Sequence, residues 1–207
     1  MKVNHTVYIN DRPIWFCAIN QKHESFPSSM EVLNADSIDY AEVAEQISKG
    51  ISSGAVVLCE DPDREWKNFV YPFTLIEAAG GYVENEKGEV LFIFRKGKWD
   101  LPKGKAEYDE SIEQTAVREV REECGLKMVV LKKELTKTFH TYFEKGKHIL
   151  KKTHWFSMES LSTEQLIPQY EEDITAIRWL NSEEINSDVL TNTYASIRDV
   201  IHAAMKK

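Results

Sequence analysis

One segment of the chain has both ends of a helix marked, and it constrains the fold around it. Ser111 and Gln114 have the spacing of a capping box, in which each side chain bonds the backbone of the other residue. Gly125 is the residue type that most often ends a helix in the left-handed conformation. Between these ends, one apolar stripe repeats at helical intervals: Ile112, Ala116, Val117, Val120 and Cys124. The sequence therefore predicts a helix over residues 112–124 that packs against a core.

Three glutamates project beside this stripe. Glu119 and Glu123 are four residues apart and Glu122 is three residues from Glu119, so the three carboxylates crowd one arc of the helix. Like charges at this spacing repel each other, and a hard divalent cation that binds carboxylate and phosphate oxygens relieves the repulsion. A glutamate run taken alone is typical of a solvated helix face. The interpretation therefore depends on the residues around it.

The residues flanking the glutamates have a fixed spacing. Gly104 is followed after five residues by Glu110, and after seven more by REVREECGL at 118–126. This spacing matches every fixed position of the Nudix box, and the chain resembles the Nudix hydrolase family over residues 72–207. The first seventy or so residues carry no such resemblance.

The resemblance implies an α/β (α+β) fold, in which an α/β/α sandwich contains a mixed sheet. It also implies hydrolysis of a pyrophosphate linkage in a compound of a nucleoside diphosphate. By position, Glu119, Glu122 and Glu123 correspond to the family's ligands for Mg²⁺ or Mn²⁺, and we also treat Glu122 as a candidate catalytic residue.

Three further positions of the box have implied roles. Arg118 corresponds to an arginine that orients a carboxylate, and its place four residues before Glu122 predicts a salt bridge between the two. Glu110 corresponds to a glutamate at the helix entry, and Gly104 to a turn where the backbone must approach closely.

Outside the helix, the loop WDLPKGK holds candidate substrate-binding residues. The ammonium groups of Lys103 and Lys105 flank Gly104, where they either contact phosphates or are simply solvated. Trp99 either stacks on a base or packs the loop, because an indole does both well. The loop resembles those of dinucleoside polyphosphate and oxidised-nucleotide hydrolases, and it is compatible with diphosphoinositol polyphosphates.

A second acidic group, Glu171, Glu172 and Asp173, precedes the apolar run ITAIRWL. Several relatives place an additional catalytic or metal-binding carboxylate here, and Glu172 is our candidate. The alternative is a solvated acidic turn.

The pattern around the box predicts the remaining elements of a domain over residues 72–207. We expect a strand pair with its turn at 86–89, a loop before the helix, strands at about 127–142 and 148–158 joined by a hairpin at 144–146, a strand at 174–180 and a closing helix at 191–205.

Residues 1–71 are expected to form a small N-terminal α/β unit of unknown role. We predict a hairpin over residues 3–19 with its turn at 10–13, a helix at 39–50, a buried strand at 54–59 and a second helix beginning near Pro62. A dimerisation or lid element is one interpretation of this unit, which leaves a homodimer open.

Composition narrows the class of protein. The chain is 42% hydrophobic and 29% charged, which is ordinary for globular domains. A net charge of −8 disfavours duplex nucleic acid as a partner but not a phosphorylated small molecule beside bound cations. The apolar runs are too short to cross a membrane, and the first residues lack the apolar stretch of a secretory signal, so we expect a cytoplasmic protein.

Two functions of different classes remain open at this point. The first is the hydrolase that the intact box predicts. The second is a non-catalytic sensor or regulator with the same fold, which the unmatched first seventy residues suggest.

Overall fold

The computed structural model describes residues 3–20, 26–35 and 38–206. The chain divides into two compact units, the first built from the described residues up to Leu75 together with Phe139–Lys151, and the second from Ile76–Thr138 and Lys152–Lys207. The domain boundary that the sequence predicts between residues 71 and 72 stays a prediction. The sequence does not predict that residues 139–151 belong to the first unit, because their contacts there are with residues distant in sequence.

The first unit is a small sheet with two helices. Its elements are β1 (His5–Ile9), β2 (Arg12–Ala18), β3 (Glu31–Asn34), α1 (Tyr40–Ser48), β4 (Ala55–Cys59) and α2 (Pro62–Val70). β1 and β2 form the expected antiparallel hairpin, and β4 lies parallel to both β2 and β3. The α/β character expected here is confirmed for the described residues, while β3 was not expected, because its four residues carry too short a pattern to be distinguished from a loop.

Both helices of the first unit pack on one side of this sheet. Ile47 of α1 and Phe69 of α2 are fully buried with Phe16 of β2. The start of α2 follows the sequence closely, since Asp61 caps it by accepting from the amides of Asp63 and Arg64, each at 3.1 Å.

The second unit contains the predicted helix and a larger group of strands. Its strands are β5 (Thr74–Glu84), β6 (Val90–Arg95), β7 (Lys98–Asp100), β8 (Lys103–Lys105), β9 (Val130–Glu144), β10 (Lys147–Glu159) and β11 (Ile174–Leu180). The first two residues of β5 and the adjoining ends of β9 and β10, within Phe139–Lys151, belong to the first unit. Its helices are α3 (Ile112–Cys124), α4 (Ser182–Glu184), which continues as a π-helical turn (Ile185–Val189), and α5 (Ala195–Met205). A 3₁₀ turn, Tyr170–Glu172, precedes β11. The strand order is β11-β6-β5-β10-β9, with β7 beside β6 and β8 beside β5.

Helices cover both faces of this sheet. On one face, Ala116 and Val120 of α3 are fully buried with residues such as Val83 of β5. On the other face, Val200 and Ile201 of α5 are buried against β5 and β6. Helices on both faces confirm the expected α/β/α sandwich, and the strands of the chain as a whole pair in both parallel and antiparallel directions, which confirms a mixed sheet.

Two sequence expectations in this unit need correction. The segment between β6 and α3 was expected to be a loop, but β7 and β8 form within it, because their backbones pair with β6 and β5. The last helix begins at Ala195 rather than at residue 191, since the preceding backbone joins the β7 segment through a bridge between Trp99 and Thr193. Within the described residues, no helix is long and apolar enough to cross a membrane.

Candidate active site on helix α3

The ends of α3 are fixed as the sequence predicts. The Ser111 hydroxyl accepts from the Gln114 amide at 3.2 Å, and the Gln114 side chain accepts from the Ser111 amide at 2.8 Å. At the other end, Gly125 has a φ of 72° and its amide donates to the carbonyl of Arg121. The predicted capping box and the left-handed stop are both confirmed. They fix the limits of the helix that carries the three glutamates.

Arg118 is the centre of a group of carboxylates. Its guanidinium donates to both oxygens of Glu110, at 2.6 and 2.9 Å. One nitrogen, Nη1, also donates to Glu119 at 2.7 Å and to Glu122 at 3.0 Å, which confirms the predicted salt bridge to Glu122. The fork geometry of arginine suits this arrangement, because a single planar group contacts three carboxylates at once.

Glu110 is the carboxylate that Arg118 holds most completely. Hydrogen bonds from Arg118, together with one from the Thr115 hydroxyl at 3.0 Å, lower the pKa of Glu110 to about 2. A carboxylate that accepts several charge-assisted bonds stays ionised, so Glu110 serves as a fixed negative anchor for Arg118.

Glu119 lies directly against the backbone of Gly104. A Cβ added at position 104 would be 2.1 Å from the carboxyl carbon of Glu119. Burial raises the pKa of Glu119, and the negative charges of Glu122 and Glu172 raise it further, while Arg118 lowers it. Position 104 therefore has to be glycine for this carboxylate to lie where it does.

Glu123 is the most buried of the three glutamates, with 1% of its surface exposed. Its Oε2 accepts from the backbone amide of Lys103 at 2.9 Å, and Arg95 lies 3.5 Å from its Oε1. Burial raises its pKa to about 7, against the lowering effect of the charge and amide of Lys103. Glu123 thus joins the helix to the β7–β8 segment.

The loop lysines and tryptophan have partners of their own. The Lys103 ammonium pairs with Asp100 at 2.8 Å, and Asp100 is 3% exposed. The carbonyl of Lys105 accepts from Arg118 at 3.1 Å. Trp99 is half-buried, with its ring edge-on to Phe94 at 5.1 Å, next to the core under α5. Substrate contact by these three residues and by Gly104 stays a prediction.

Glu172 lies near the helix through Arg95. The Arg95 guanidinium is 3.4 Å from Glu172 Oε2 and also faces Glu123. Glu172 is among the charges that raise the pKa of Glu119, so the two carboxylates are within electrostatic reach. Its catalytic role stays a prediction.

Sequence reasoning missed two charged residues of this site. Arg95 ends an apolar strand and Asp100 lies in the loop WDLPKGK, and neither belongs to the box. A charged residue at the end of an otherwise apolar strand is a weak signal that an ion pair is needed there. Its partners cannot be read from local spacing, because they lie on other elements.

The residues present suit a hard divalent cation by chemistry. They offer carboxylate oxygens, which such cations prefer, and burial raises the pKa of two of the carboxyl groups, those of Glu119 and Glu123. The glycine at position 104 leaves room there only for the Glu119 carboxylate. Within the described ranges, however, no three acidic, histidine or cysteine side chains are arranged so that they could hold a metal ion. The carboxylates are instead turned toward Arg118 and the Lys103 amide. The assignment of Glu119, Glu122 and Glu123 as metal ligands stays a prediction.

Comparison with known proteins defines the class. A model of the NUDIX domain matches residues 74–203, and the chain belongs to this family, which confirms the family predicted from the box. The matched segment contains the whole box and all of the site residues named above.

Individual relatives match parts of the chain. It is 33% identical over 97 residues to the putative mutator protein MutT4 of Mycobacterium tuberculosis, which covers 46% of this chain and 38% of that protein. The chain therefore spans well under half the length of this relative.

Solved structures resemble this chain over about two thirds of its length. A MutT protein from Methanosarcina mazei Go1 has 26% identity and a TM-score of 0.49, covering 65% of this chain and 96% of its own. The C. elegans Ap4A hydrolase, in a binary complex, has 19% identity and a TM-score of 0.50, covering 63% of this chain and 96% of its own. At this identity the second likeness shows the fold alone.

Proposed function

We propose that this protein is a metal-dependent hydrolase of phosphoanhydride linkages in nucleoside diphosphate-linked or polyphosphorylated small molecules. The observation that carries the proposal is the contact of Arg118 with Glu119 and Glu122 while Glu119 lies against Gly104. The arrangement places ionisable carboxylate oxygens along one side of α3, next to the backbone of β8.

The expected ligands are Glu119, Glu122 and Glu123, with Mg²⁺ or Mn²⁺ as the cofactor. A bound divalent cation neutralises phosphate oxygens and lowers the pKa of a water molecule. Arg118 orients two of the ligands, and Glu110 keeps Arg118 in place through two hydrogen bonds. Glu122 and Glu172 are the candidates for holding the proton of the attacking water, because both are accessible while Glu123 is buried.

The favoured substrates are dinucleoside polyphosphates and oxidised deoxynucleoside triphosphates. The resemblance of the loop WDLPKGK supports this choice, and the similar proteins include a putative mutator protein. Lys105 and Lys103 are the expected phosphate contacts; Lys103 would turn its ammonium group away from Asp100 to reach one. We expect the highest activity on a chain of three or more phosphates.

A release assay tests the function. Wild-type protein is incubated with ADP-ribose, diadenosine tetraphosphate, oxidised dGTP and a diphosphoinositol compound, each with Mg²⁺ and with a chelator. Turnover that needs the metal and favours the longer phosphate chains supports the proposal. Clear preference for ADP-ribose contradicts the substrate class, and no metal-dependent turnover of any of them contradicts the hydrolase.

A non-catalytic sensor is the second candidate. The family match begins at residue 74, so most of the first unit lies outside it. An additional unit of this kind suits a protein that couples ligand binding to a second task. Tight nucleotide binding without turnover in the same assay would favour this alternative. We also propose a cytoplasmic location, no duplex nucleic acid partner, and a role for the first unit either in forming a homodimer or as a lid.

A further inference from the structure

Arg95 occupies a point where three parts of the second unit meet. It is the last residue of β6, and its backbone pairs with Lys98 of β7 on one side and Ile174 of β11 on the other. Ile174 comes directly after the turn that carries Glu172 and Asp173, and Asp173 has a left-handed φ of 60°. The strand register therefore places Arg95 opposite this acidic turn.

The Arg95 side chain contacts two carboxylates from different elements. Its Nη1 is 3.5 Å from Glu123 of α3, and its Nη2 is 3.4 Å from Glu172 of the turn. The arginine side chain is 14% exposed, that of Glu123 is 1% exposed, and that of Glu172 is 52% exposed. One guanidinium thus joins a buried carboxylate to a largely solvated one.

Charge explains why this contact matters. Glu172 and Glu123 are both acidic and both lie against one arginine, so their ionised carboxylates repel each other. Arg95 supplies the compensating charge between them, and its two Nη groups reach both carboxylates at once. A lysine at the same place has a single ammonium group and would satisfy one carboxylate well at most.

We propose that Arg95 is a positioning residue that holds Glu172 beside the α3 carboxylates and fixes the orientation of Glu123. This inference rests on the proposed metal-dependent function. It predicts that Arg95 acts through Glu172 and Glu123, without contact to the reacting phosphorus.

The test is a double-mutant cycle with two readouts on the full chain. Arg95→Lys, Glu172→Gln and the double variant are compared with the wild type for kcat and KM, and for Mn²⁺ affinity by electron paramagnetic resonance. Arg64→Lys, an exposed position in the first unit, is the matched control. Losing a residue that orients a metal ligand typically costs about 10- to 100-fold in metal affinity or activity.

The expected result is a loss of that size for Arg95→Lys in kcat or Mn²⁺ affinity, with a smaller loss when Glu172 is already glutamine, because only the effect through Glu123 then remains. Unchanged Mn²⁺ affinity and kcat in Arg95→Lys would overturn the inference, as would full additivity with Glu172→Gln. Absence of turnover in the wild type would instead contradict the proposed function, and the Mn²⁺ measurement would still test the role of Arg95. If Arg95→Lys unfolds, Glu172→Gln alone must lower Mn²⁺ affinity or kcat for the inference to stand.

Discussion

Gly104 and Glu119 are in such close contact that any side chain at position 104 would clash with the Glu119 carboxylate as it now lies. A methyl carbon there would lie 2.1 to 2.2 Å from the carboxyl atoms of Glu119. Real side-chain carbons do not approach this closely, so either the carboxylate or the β8 backbone has to move. The smallest possible change in the loop therefore displaces a predicted metal ligand.

We accordingly expect Gly104→Ala to lower turnover by more than about tenfold, since small misplacements of catalytic groups have effects of this size. The control is Gly88→Ala, whose Cβ would meet nothing within 4 Å, although the backbone of Gly88, unlike that of Gly104, has a positive φ of 75°. It should lose some thermal stability and keep its turnover. Comparable turnover in the two variants would contradict the importance of the Gly104 contact.

Arg118→Lys tests the contacts between the Arg118 guanidinium and three carboxylates. Lysine keeps the charge but cannot bond Glu110, Glu119 and Glu122 together, as the guanidinium does. We expect kcat to fall by about tenfold or more, with a smaller change in thermal stability, because Glu119 and Glu122 would no longer be held in single rotamers. Steady-state kinetics beside a melting curve separates the two effects. A lysine variant with wild-type kcat would show that these contacts of Arg118 have no part in turnover.

The stability of the protein should depend on Glu110 at neutral pH and lose this dependence in acid. The pKa of Glu110 is lowered from 4.5 to about 2 in the folded protein. A lowered pKa stabilises the folded state above the unfolded value, and the contribution disappears as pH falls from about 4.5 toward about 2. Urea unfolding of the wild type and Glu110→Gln should therefore differ near neutral pH and converge in acid. A difference that stays constant across this range would contradict the assignment.

The three cysteines should be unreactive in the folded protein. Cys17, Cys59 and Cys124 are buried and free, and burial raises the pKa of each thiol, that of Cys59 to about 11. The thiolate is the reactive form, so little of it is present at neutral pH. Ellman's reagent should label these residues slowly in the native protein and fully in guanidinium chloride. Rapid labelling of any of them before unfolding would contradict the burial described here.

Local signals account for much of what the sequence predicts correctly. The limits of α3 follow from Ser111, Gln114 and Gly125, which act within one turn of each helix end, and the Arg118–Glu122 contact follows from a spacing of four residues. The family resemblance adds the sandwich and the candidate ligands.

Long-range contacts account for what the sequence does not predict. Asp100 pairs with Lys103 through a turn between two short strands that form only against β5 and β6. Arg95 meets Glu172 across 77 residues of chain. Such partners depend on strand order and register, which composition and periodicity do not encode.

The acidic face of α3 is proposed to bind a divalent cation next to a phosphoanhydride. The direct measurement is Mn²⁺ binding, with a non-hydrolysable dinucleoside polyphosphate present, to the wild type, Glu122→Gln and the control Glu113→Gln, an exposed glutamate of the same helix. We predict that Glu122→Gln binds Mn²⁺ about tenfold or more weakly and loses turnover to a similar degree, while Glu113→Gln matches the wild type. Equal Mn²⁺ binding and turnover in all three proteins would contradict the account.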